Sequence, residues 1–245
     1  MYLTEQKINY IKNSELGCKS TEKLMEIFDS IKNGTIVDIG VEEGKSSLLM
    51  LNYATENNNR IYGIDPIPYF QTNHPNYTYM KMDSVKVGEN WKGGQVDFVF
   101  FDSVHAKEQV LCELYFWYDL IKEGGYAVFH DTSWKNYIHK SDHNCAGKFA
   151  GNTGLGFDHY GGIDWETPDK AVSEFFKINL LPESRNINND ELILIHEDEY
   201  VKIETNFSSL GMTFVRKKKN FNFKNNIHDW KENFKRRKIL MCFFN

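Results

Sequence analysis

Short apolar runs separated by polar, glycine-rich segments dominate the pattern of this chain. Five runs have the length and the aromatic or β-branched content of buried strands: 35–39, 60–64, 77–81, 96–101 and 126–129. In the segments between them, apolar residues recur at helical spacing, most clearly over 21–33, 45–54 and 110–121. This alternation of strands and helices predicts an α/β fold with a doubly wound, mostly parallel, Rossmann-like sheet.

Capping and turn residues predict where some of these elements begin and end. Ser20 and Thr21 are expected to cap the helix over 21–33. A Gly-Gly pair at 124–125 is expected to stop the helix that precedes the last of the five strands. The apolar face of the helix over 21–33 consists of Leu24, Ile27, Phe28 and Ile31.

The second half of the chain departs from the regular pattern. Residues 135–168 are rich in glycine and polar residues, and so long an insertion is typical of a functional lid or a disordered loop. A helix is predicted over 169–179, and the runs 200–205 and 211–216 predict an antiparallel pair that closes the sheet edge. The lid carries three histidines whose simplest interpretation is a solvated loop position: His139, His143 and His159.

These patterns divide the chain into three parts. We expect N-terminal helices over 1–34, a Rossmann-like domain over 35–219 that includes the lid at about 135–168, and a basic, aromatic tail over 220–245. The first interpretation of the tail is a solvated helix with a few aromatic side chains docked on the core. The alternative is a binding surface for a phosphorylated or nucleotide-linked substrate or for an anionic membrane.

Composition narrows the function classes. The net charge of −5 over 245 residues argues against nucleic-acid binding through a basic surface. No apolar run approaches the ~18–20 residues of a transmembrane helix, and the N-terminus lacks the apolar segment of a secretory signal. Four scattered cysteines, of which Cys112 is expected in the core, favour a reducing cytoplasm over a disulfide framework or zinc site. A homodimer is compatible with the sequence.

Acidic and imidazole side chains follow the fourth and fifth predicted strands. Asp102 and His105 come after the fourth strand, and His130-Asp131 after the fifth. Carboxyl ends of parallel strands meet at one sheet edge, where α/β folds bind ligands, so we expect these groups to converge. The cluster suits a divalent cation, a proton acceptor or both. For His105, the alternative is a structural bond to the first turn of the following helix.

The turn after the first strand has a nucleotide-binding character. It contains Asp38, Gly40, Gly44 and Ser46, and its glycines allow a tight turn and close backbone approach to a ligand. The alternative is an ordinary strand-to-helix turn. The GxGxxG pattern of dinucleotide sites is missing, which leaves an NAD-dependent oxidoreductase as a weak alternative.

Polar residues also end the second and third strands. Asp65 stands where an acid can accept hydrogen bonds from two ribose hydroxyls, or where it can form a turn. Asp83 and Ser84 either border an adenine ring or form a turn. Four consecutive strand ends therefore carry polar groups in the order that a nucleotide-like ligand requires.

The motifs DIGVEEG, IYGID, MKMDS, FFDSVH and LIKEGGYAVFHDTSW, in this order, resemble the class I S-adenosylmethionine-dependent methyltransferases. More narrowly, the chain is similar to small-molecule O-methyltransferases related to the macrocin and cephalosporin-cluster enzymes, in which D-x-x-H and GG-(x)n-HD recur. The resemblance covers roughly residues 30–216. It implies S-adenosylmethionine as cofactor, with Asp65 at the ribose and Asp83 and Ser84 beside the adenine.

The resemblance also implies roles for the first turn. The methionine part of the cofactor would lie against Asp38, Gly40, Gly44 and Ser46. Glu42 departs from the pattern, since many relatives have glycine there, and its side chain is expected to point away from the cofactor.

A divalent metal is the second cofactor that the resemblance implies. In catechol-type O-methyltransferases, an Asp after strand four and an acid–amide pair after strand five bind Mg²⁺. The corresponding ligands here are Asp102 and Asp131, with His130 in place of the first acid. That imidazole either joins the ligands and favours Mn²⁺ or Fe²⁺ over Mg²⁺, or serves as the base. His105 is the other candidate base.

The sequence thus predicts an S-adenosylmethionine-dependent O-methyltransferase that acts, with a divalent metal, on a hydroxylated small molecule. Sugars, nucleotide-linked sugars or surface-polysaccharide precursors are the expected acceptors, because related enzymes often act on sugars. One alternative is a metal-dependent hydroxylase on the same scaffold, with a His and two carboxylates around Fe²⁺. Another is a non-catalytic module that retains the cofactor-binding fold.

Overall fold

The computed structural model of this protein describes residues 18–132, 168–180, 190–208 and 210–227, together with positions 232 and 235. The first 17 residues, nearly all of the predicted lid with its three histidines, and most of the basic tail lie outside the described residues. None of the described helices is long and apolar enough to span a bilayer.

The described residues form an eight-stranded sheet with the order β3-β2-β1-β4-β5-β8-β7-β6. Strands β1 to β5 are parallel, and β8, β7 and β6 follow in antiparallel pairings. The predicted, mostly parallel α/β sheet is confirmed. The strands are β1 Thr35–Ile39, β2 Arg60–Ile64, β3 Tyr77–Met80, β4 Val96–Phe101, β5 Ile121–His130, β6 Leu192–Glu197, β7 Val201–Asn206 and β8 Met212–Lys217.

Helices cover both faces of the sheet, because successive residues of each central strand point to opposite sides. On β4, Val99 and Phe101 pack with α4 and α5, whereas Phe98 and Phe100 pack with α1 and α2. This packing confirms the doubly wound architecture. The helices are α1 Cys18–Ser30, α2 Lys45–Ala54, α3 Ser84–Glu89, α4 Lys107–Trp117 and α5 Pro168–Phe176, with short 3-10 turns at Thr55–Asn57, Tyr118–Leu120 and Phe223–Asn226.

The predicted stop of α4 at the Gly-Gly pair 124–125 is wrong. The helix ends at Trp117, a 3-10 turn follows, and β5 already begins at Ile121. The buried ammonium of Lys217 explains this early end, since it donates to the carbonyls of Tyr118 (3.3 Å) and Ile121 (2.7 Å). The glycine pair instead lies in β5, near a register shift against β4.

The predicted cap of the first described helix is also wrong. Ser20 and Thr21 lie inside α1 and are buried, because this helix already includes Cys18. The carboxylate of Asp190 accepts a hydrogen bond from the amide of Lys19 instead (3.2 Å). The predicted apolar face is confirmed, with all four of its side chains buried.

The far edge of the sheet contains both a confirmed prediction and an omission. The predicted antiparallel pair corresponds to β7 and β8. The sequence pattern did not identify β6, whose apolar side chains stay partly exposed, with Leu194 52% exposed. A strand that buries neither face lacks the alternation by which strands are recognised.

Candidate active site

The turn between β1 and α2 passes directly against the end of β4. Gly40 and Gly44 have φ angles of +84° and +82°, which other residues rarely adopt. A Cβ atom on Gly40 would lie 1.9 Å from the carbonyl oxygen of Asp102. The absence of a side chain at Gly40 therefore lets the predicted cofactor turn touch the predicted metal ligand's backbone.

Asp38, at the end of β1, is a fully buried carboxylate with hydroxyl partners. Its Oδ2 accepts hydrogen bonds from Ser46 (2.9 Å) and Ser47, and Ser47 also contacts the hydroxyl of Tyr77 (2.9 Å). Its Oδ1 has no hydrogen-bond partner among the described residues. Burial raises the pKa of Asp38 to about 7, although the two serine hydroxyls act in the opposite direction. Sequence reasoning missed Ser47 and Tyr77.

Asp65, at the end of β2, organises the same turn from the other side. Its Oδ2 accepts a hydrogen bond from the amide of Glu42 (3.0 Å), and its Oδ1 accepts one from the amide of Ile67 (2.8 Å). Each oxygen has a second lone pair through which it can accept a further bond. Glu42 takes a left-handed φ of +45°, and its side chain is exposed.

The residues after β3 form the start of a helix. Asp83 caps α3 by accepting a hydrogen bond from the amide of Lys86 (3.1 Å), which matches the turn role left open by the sequence. The Ser84 side chain is buried and donates to Glu113. The Ser84 hydroxyl therefore points into the protein interior and is not available to an adenine ring.

The predicted acid–imidazole cluster does assemble at the carboxyl ends of β4 and β5. His105 Nε2 lies 2.6 Å from Asp131 Oδ2 and 3.3 Å from Asp102 Oδ1. His130 Nδ1 lies 3.3 Å from the same Asp102 oxygen and 3.4 Å from Asp131 Oδ1. Both imidazoles thus face both carboxylates, and the Asp102 side chain, 24% exposed, is the most accessible of the four.

Asp131 is the most constrained member of the cluster. Its φ of +57° is left-handed, which is uncommon outside glycine, and its side chain is 1% exposed. The next residue, Thr132, begins a chain of buried hydroxyl contacts: it lies 2.9 Å from Thr213 on β8, which in turn lies 3.0 Å from Thr205 on β7. The backbone is thus held in a conformation that directs this carboxylate into the cluster.

Charge in the cluster is shared between acids and imidazoles. Burial alone would lower the pKa of His105, but the carboxylates of Asp131 and Asp102 outweigh it and raise that pKa to about 10. The pKa of His130 is raised well above its ordinary value for the same reason. The two imidazoles in turn lower the pKa of Asp131 despite its burial.

The cluster fits a divalent cation. One ligand atom from each of Asp102, His105 and Asp131 can be chosen so that all lie within 4.8 Å of one another. Oδ1 of Asp131 is buried and makes no hydrogen bond among the described residues, although His130 Nδ1 lies 3.4 Å away, so it retains the capacity to bind a cation. Two carboxylate oxygens and one imidazole nitrogen suit Mn²⁺ or Fe²⁺ better than Mg²⁺, which prefers oxygen ligands. His130, predicted as a ligand, faces the same two carboxylates, and its ligand role stays a prediction.

Sequence reasoning also missed a polar network behind the cluster. Ser103 and Ser84 both donate to the buried carboxylate of Glu113 on α4. An available signal was the pair Gln109 and Glu113, spaced i and i+4 along the otherwise apolar face of that helix.

A family model matches the part of the chain that contains these site residues. Residues 37–132 match a family model described as a methyltransferase domain. No curated protein matches the chain.

Among solved structures, the chain is similar to the MycE methyltransferase from the mycinamycin biosynthetic pathway in complex with Mg, SAH and mycinamycin VI. The identity is 15%, the TM-score is 0.50, and the match covers 89% of this chain and 54% of that one. The chain thus spans only about half the length of MycE.

Two further structures match along most of their own length. One is the SAH-bound methyltransferase PaMTH1 from Podospora anserina, with 12% identity, 89% of each chain and a TM-score of 0.57. The other is cofactor-bound Rv0187 from MTB, with 12% identity, 88% of each chain and a TM-score of 0.51. At these identities the structural matches establish the fold. Residues 37–132 thus match a methyltransferase-domain family model, and the chain shares its fold with SAH-bound methyltransferases.

Proposed function

We propose that this protein is an S-adenosylmethionine-dependent O-methyltransferase that methylates a hydroxyl of a small molecule with the help of a divalent metal. One observation carries the proposal: Asp102, His105 and Asp131 gather their ligand atoms within 4.8 Å, beside a glycine turn that touches the Asp102 backbone. A methyl donor in the turn and a hydroxyl acceptor at the cluster would be neighbours.

The turns after β1, β2 and β3, together called the donor side, carry groups that suit the methyl donor. The unpartnered, buried Oδ1 of Asp38 is suited to accept a hydrogen bond from the donor's ammonium group. Asp65 has remaining acceptor capacity for ribose hydroxyls, and the turn after β3 would border the adenine. These contacts would fix the position of the sulfonium methyl group, which needs alignment with the attacking oxygen.

The acid–imidazole cluster at the ends of β4 and β5, called the acceptor side, is suited to removing a proton from an alcohol. When bound, a divalent cation would stabilise the developing alkoxide charge. Asp102 and Asp131 would hold that cation, with an imidazole as third ligand. The two carboxylates raise the pKa of both imidazoles, and the positive charge of the cation would offset this effect. The other imidazole of the pair His105 and His130 would then accept the hydroxyl proton. The imidazole nitrogens and carboxylate oxygens lie 2.6–3.4 Å apart, so the metal would be bound next to the group that accepts the proton.

For the acceptor, we propose a sugar, a nucleotide-linked sugar or a surface-polysaccharide precursor. MycE, similar in fold, has been solved with Mg, SAH and mycinamycin VI. That complex supports the proposal of a metal and a small organic acceptor for this chain. The four cysteines are scattered along the sequence without CxxC spacing, which favours a cytoplasmic location, and a homodimer is the assembly we expect.

A methyl-transfer assay tests the proposal. The full chain is incubated with S-adenosylmethionine carrying a labelled methyl group and a panel of sugars and nucleotide sugars, with Mn²⁺, Mg²⁺ or a chelator. We expect label to appear in an acceptor in the presence of metal and to be lost with the chelator. Metal-dependent oxygen consumption without label transfer would instead support the hydroxylase alternative. Unchanged transfer with the chelator would remove the metal from the proposal.

A further inference from the structure

The buried carboxylate of Glu113 on α4 contacts both the donor side and the acceptor side of the site. Oε1 of Glu113 accepts hydrogen bonds from the hydroxyls of Ser84 (2.5 Å) and Ser103 (2.7 Å) and from the amide of Gln109 (2.7 Å). Gln109 also donates to the Ser84 hydroxyl (3.1 Å), so that hydroxyl both donates and accepts. Glu113 is fully buried, and its three partners converge on one oxygen atom.

The two serines belong to different parts of the site. Ser84 follows Asp83 in the turn after β3, on the side where the donor's adenine would lie. Ser103 follows Asp102, the acceptor-side carboxylate, in the turn after β4. Trp117 adds a second bond between α4 and the turn after β3, because its indole nitrogen donates to the Ser84 carbonyl (2.9 Å). A single carboxylate oxygen therefore connects the turn of the donor side with the turn of the acceptor side.

Core packing alone does not require this carboxylate. Its second oxygen, Oε2, is buried and has no hydrogen-bond partner among the described residues, and a buried polar atom without a partner lowers stability. An apolar side chain would fill the space between α4 and the sheet at lower cost, but it would leave both serine hydroxyls without an acceptor. The network thus sacrifices stability for a fixed relation between two turns.

We propose that Glu113 is a positioning residue that holds the Asp83-Ser84 turn and the Asp102-Ser103 turn at a fixed spacing, so that donor and acceptor are aligned. Its contacts are to the two serines and Gln109, and it acts on the site through them. The proposal rests on the proposed function, because that function gives each turn its ligand.

Three variants of the full chain test this role. Glu113→Ala removes the shared acceptor, Glu113→Gln keeps an acceptor oxygen, and Val110→Ala removes buried apolar volume from the same helix without touching the network. Hydrogen exchange is measured without ligand, and binding is measured with SAH for the donor side and Mn²⁺ for the acceptor side.

We expect Glu113→Ala to speed amide exchange in both turns, at 82–86 and 102–106, and to weaken SAH and Mn²⁺ binding by about tenfold each. Glu113→Gln should restore both affinities. Val110→Ala should lower the melting temperature and leave both turns and both affinities near wild type.

The inference is overturned if Glu113→Ala leaves exchange in either turn unchanged, or if Val110→Ala reproduces its effects. A wild-type chain that binds neither SAH nor Mn²⁺ would defeat the proposed function. In that case, the exchange measurement still decides whether Glu113 links the turns.

Discussion

Asp38 and Asp131 are both buried carboxylates at the same sheet edge, yet their surroundings move their pKa values in opposite directions. Among the described residues, the Asp38 carboxylate is hydrogen-bonded by hydroxyl groups alone, so burial dominates and raises its pKa. Asp131 lies between two imidazoles, which outweigh burial and lower its pKa. At neutral pH, the donor side thus holds a carboxyl group near its titration point, and the acceptor side holds an ionised one.

The raised pKa of Asp38 predicts a pH-dependent stability. The folded-state pKa of about 7 lies above the ordinary value of 3.8 for an exposed Asp, so the unfolded chain releases this proton first and stability falls as pH rises from about 4 towards 7. The effect is at most about 4 kcal/mol. Asp38→Asn should remove this dependence. The free energy of unfolding of the variant, relative to that of the wild type, should therefore increase from pH 5 to pH 7.

Urea unfolding at pH 5, 6 and 7 checks this prediction. Asp29→Asn, an exposed acid on α1, is the control and should keep the wild-type dependence. Wild-type and Asp38→Asn stabilities that change in parallel with pH would contradict it.

Asp102 is the residue whose loss should affect the acceptor side most selectively. Because it faces both imidazoles and is proposed as a metal ligand, Asp102→Asn should weaken Mn²⁺ binding by at least about tenfold, as loss of a charged ligand does. SAH binding without metal should change little. Calorimetry with Mn²⁺ measures the first effect, and Glu26→Gln on α1 is the matched control. Wild-type Mn²⁺ affinity in Asp102→Asn would remove this residue from the metal site.

At the scale of elements, the site depends on where strands end and turns begin. The β1–α2 turn reaches the end of β4 only because Gly40 has no side chain. The junction between α4 and β5 depends on the buried ammonium of Lys217, 1% exposed, which binds two carbonyls and lies over the Tyr118 ring. The first junction places the cofactor turn against Asp102, and the second fixes the start of β5, the strand that ends at His130.

Gly40→Ala should abolish measurable SAH binding, because the added Cβ would clash with the Asp102 carbonyl. Gly94→Ala is a closely matched control: Gly94 has a similar φ of +80°, but a Cβ there would meet nothing within 4 Å. Both variants share the backbone strain, of roughly 1 kcal/mol, so the difference between them isolates the close approach. Equal loss of SAH binding in both variants would contradict the argument.

Lys217→Ala should lower the free energy of unfolding by about 2–4 kcal/mol, because two buried carbonyls lose their donor and a cavity remains. Lys218→Ala, on a partly exposed neighbour, should change it by less than about 0.5 kcal/mol. Urea unfolding of both variants measures the difference. Similar values would show that the buried ammonium does not stabilise the junction.

At the scale of the whole molecule, the sequence predicted what depends on periodicity and missed what depends on packing. The strands Thr35–Ile39, Arg60–Ile64 and Val96–Phe101 have the predicted limits, because buried parallel strands are continuous apolar runs. The convergence of Asp102 with His130-Asp131 followed from the parallel order of β4 and β5. These features require only local pattern and topology.

The missed features depend on contacts between distant segments. The contact of Lys217 with the end of α4 spans about 100 residues of sequence, and local capping signals pointed to the glycine pair instead. The Ser84 hydroxyl turns inward because Glu113, 29 positions away, accepts its bond. Tertiary packing determines where this helix ends and where this hydroxyl points, and hydrophobic periodicity along a single sequence does not reveal such contacts.

The most direct test of the central claim is calorimetric titration of the full chain with SAH, with and without Mn²⁺. We predict one SAH site per chain without metal, and one Mn²⁺ site that Asp102→Asn weakens. Absence of SAH binding in both conditions would contradict the assignment of this sheet edge to methyl transfer.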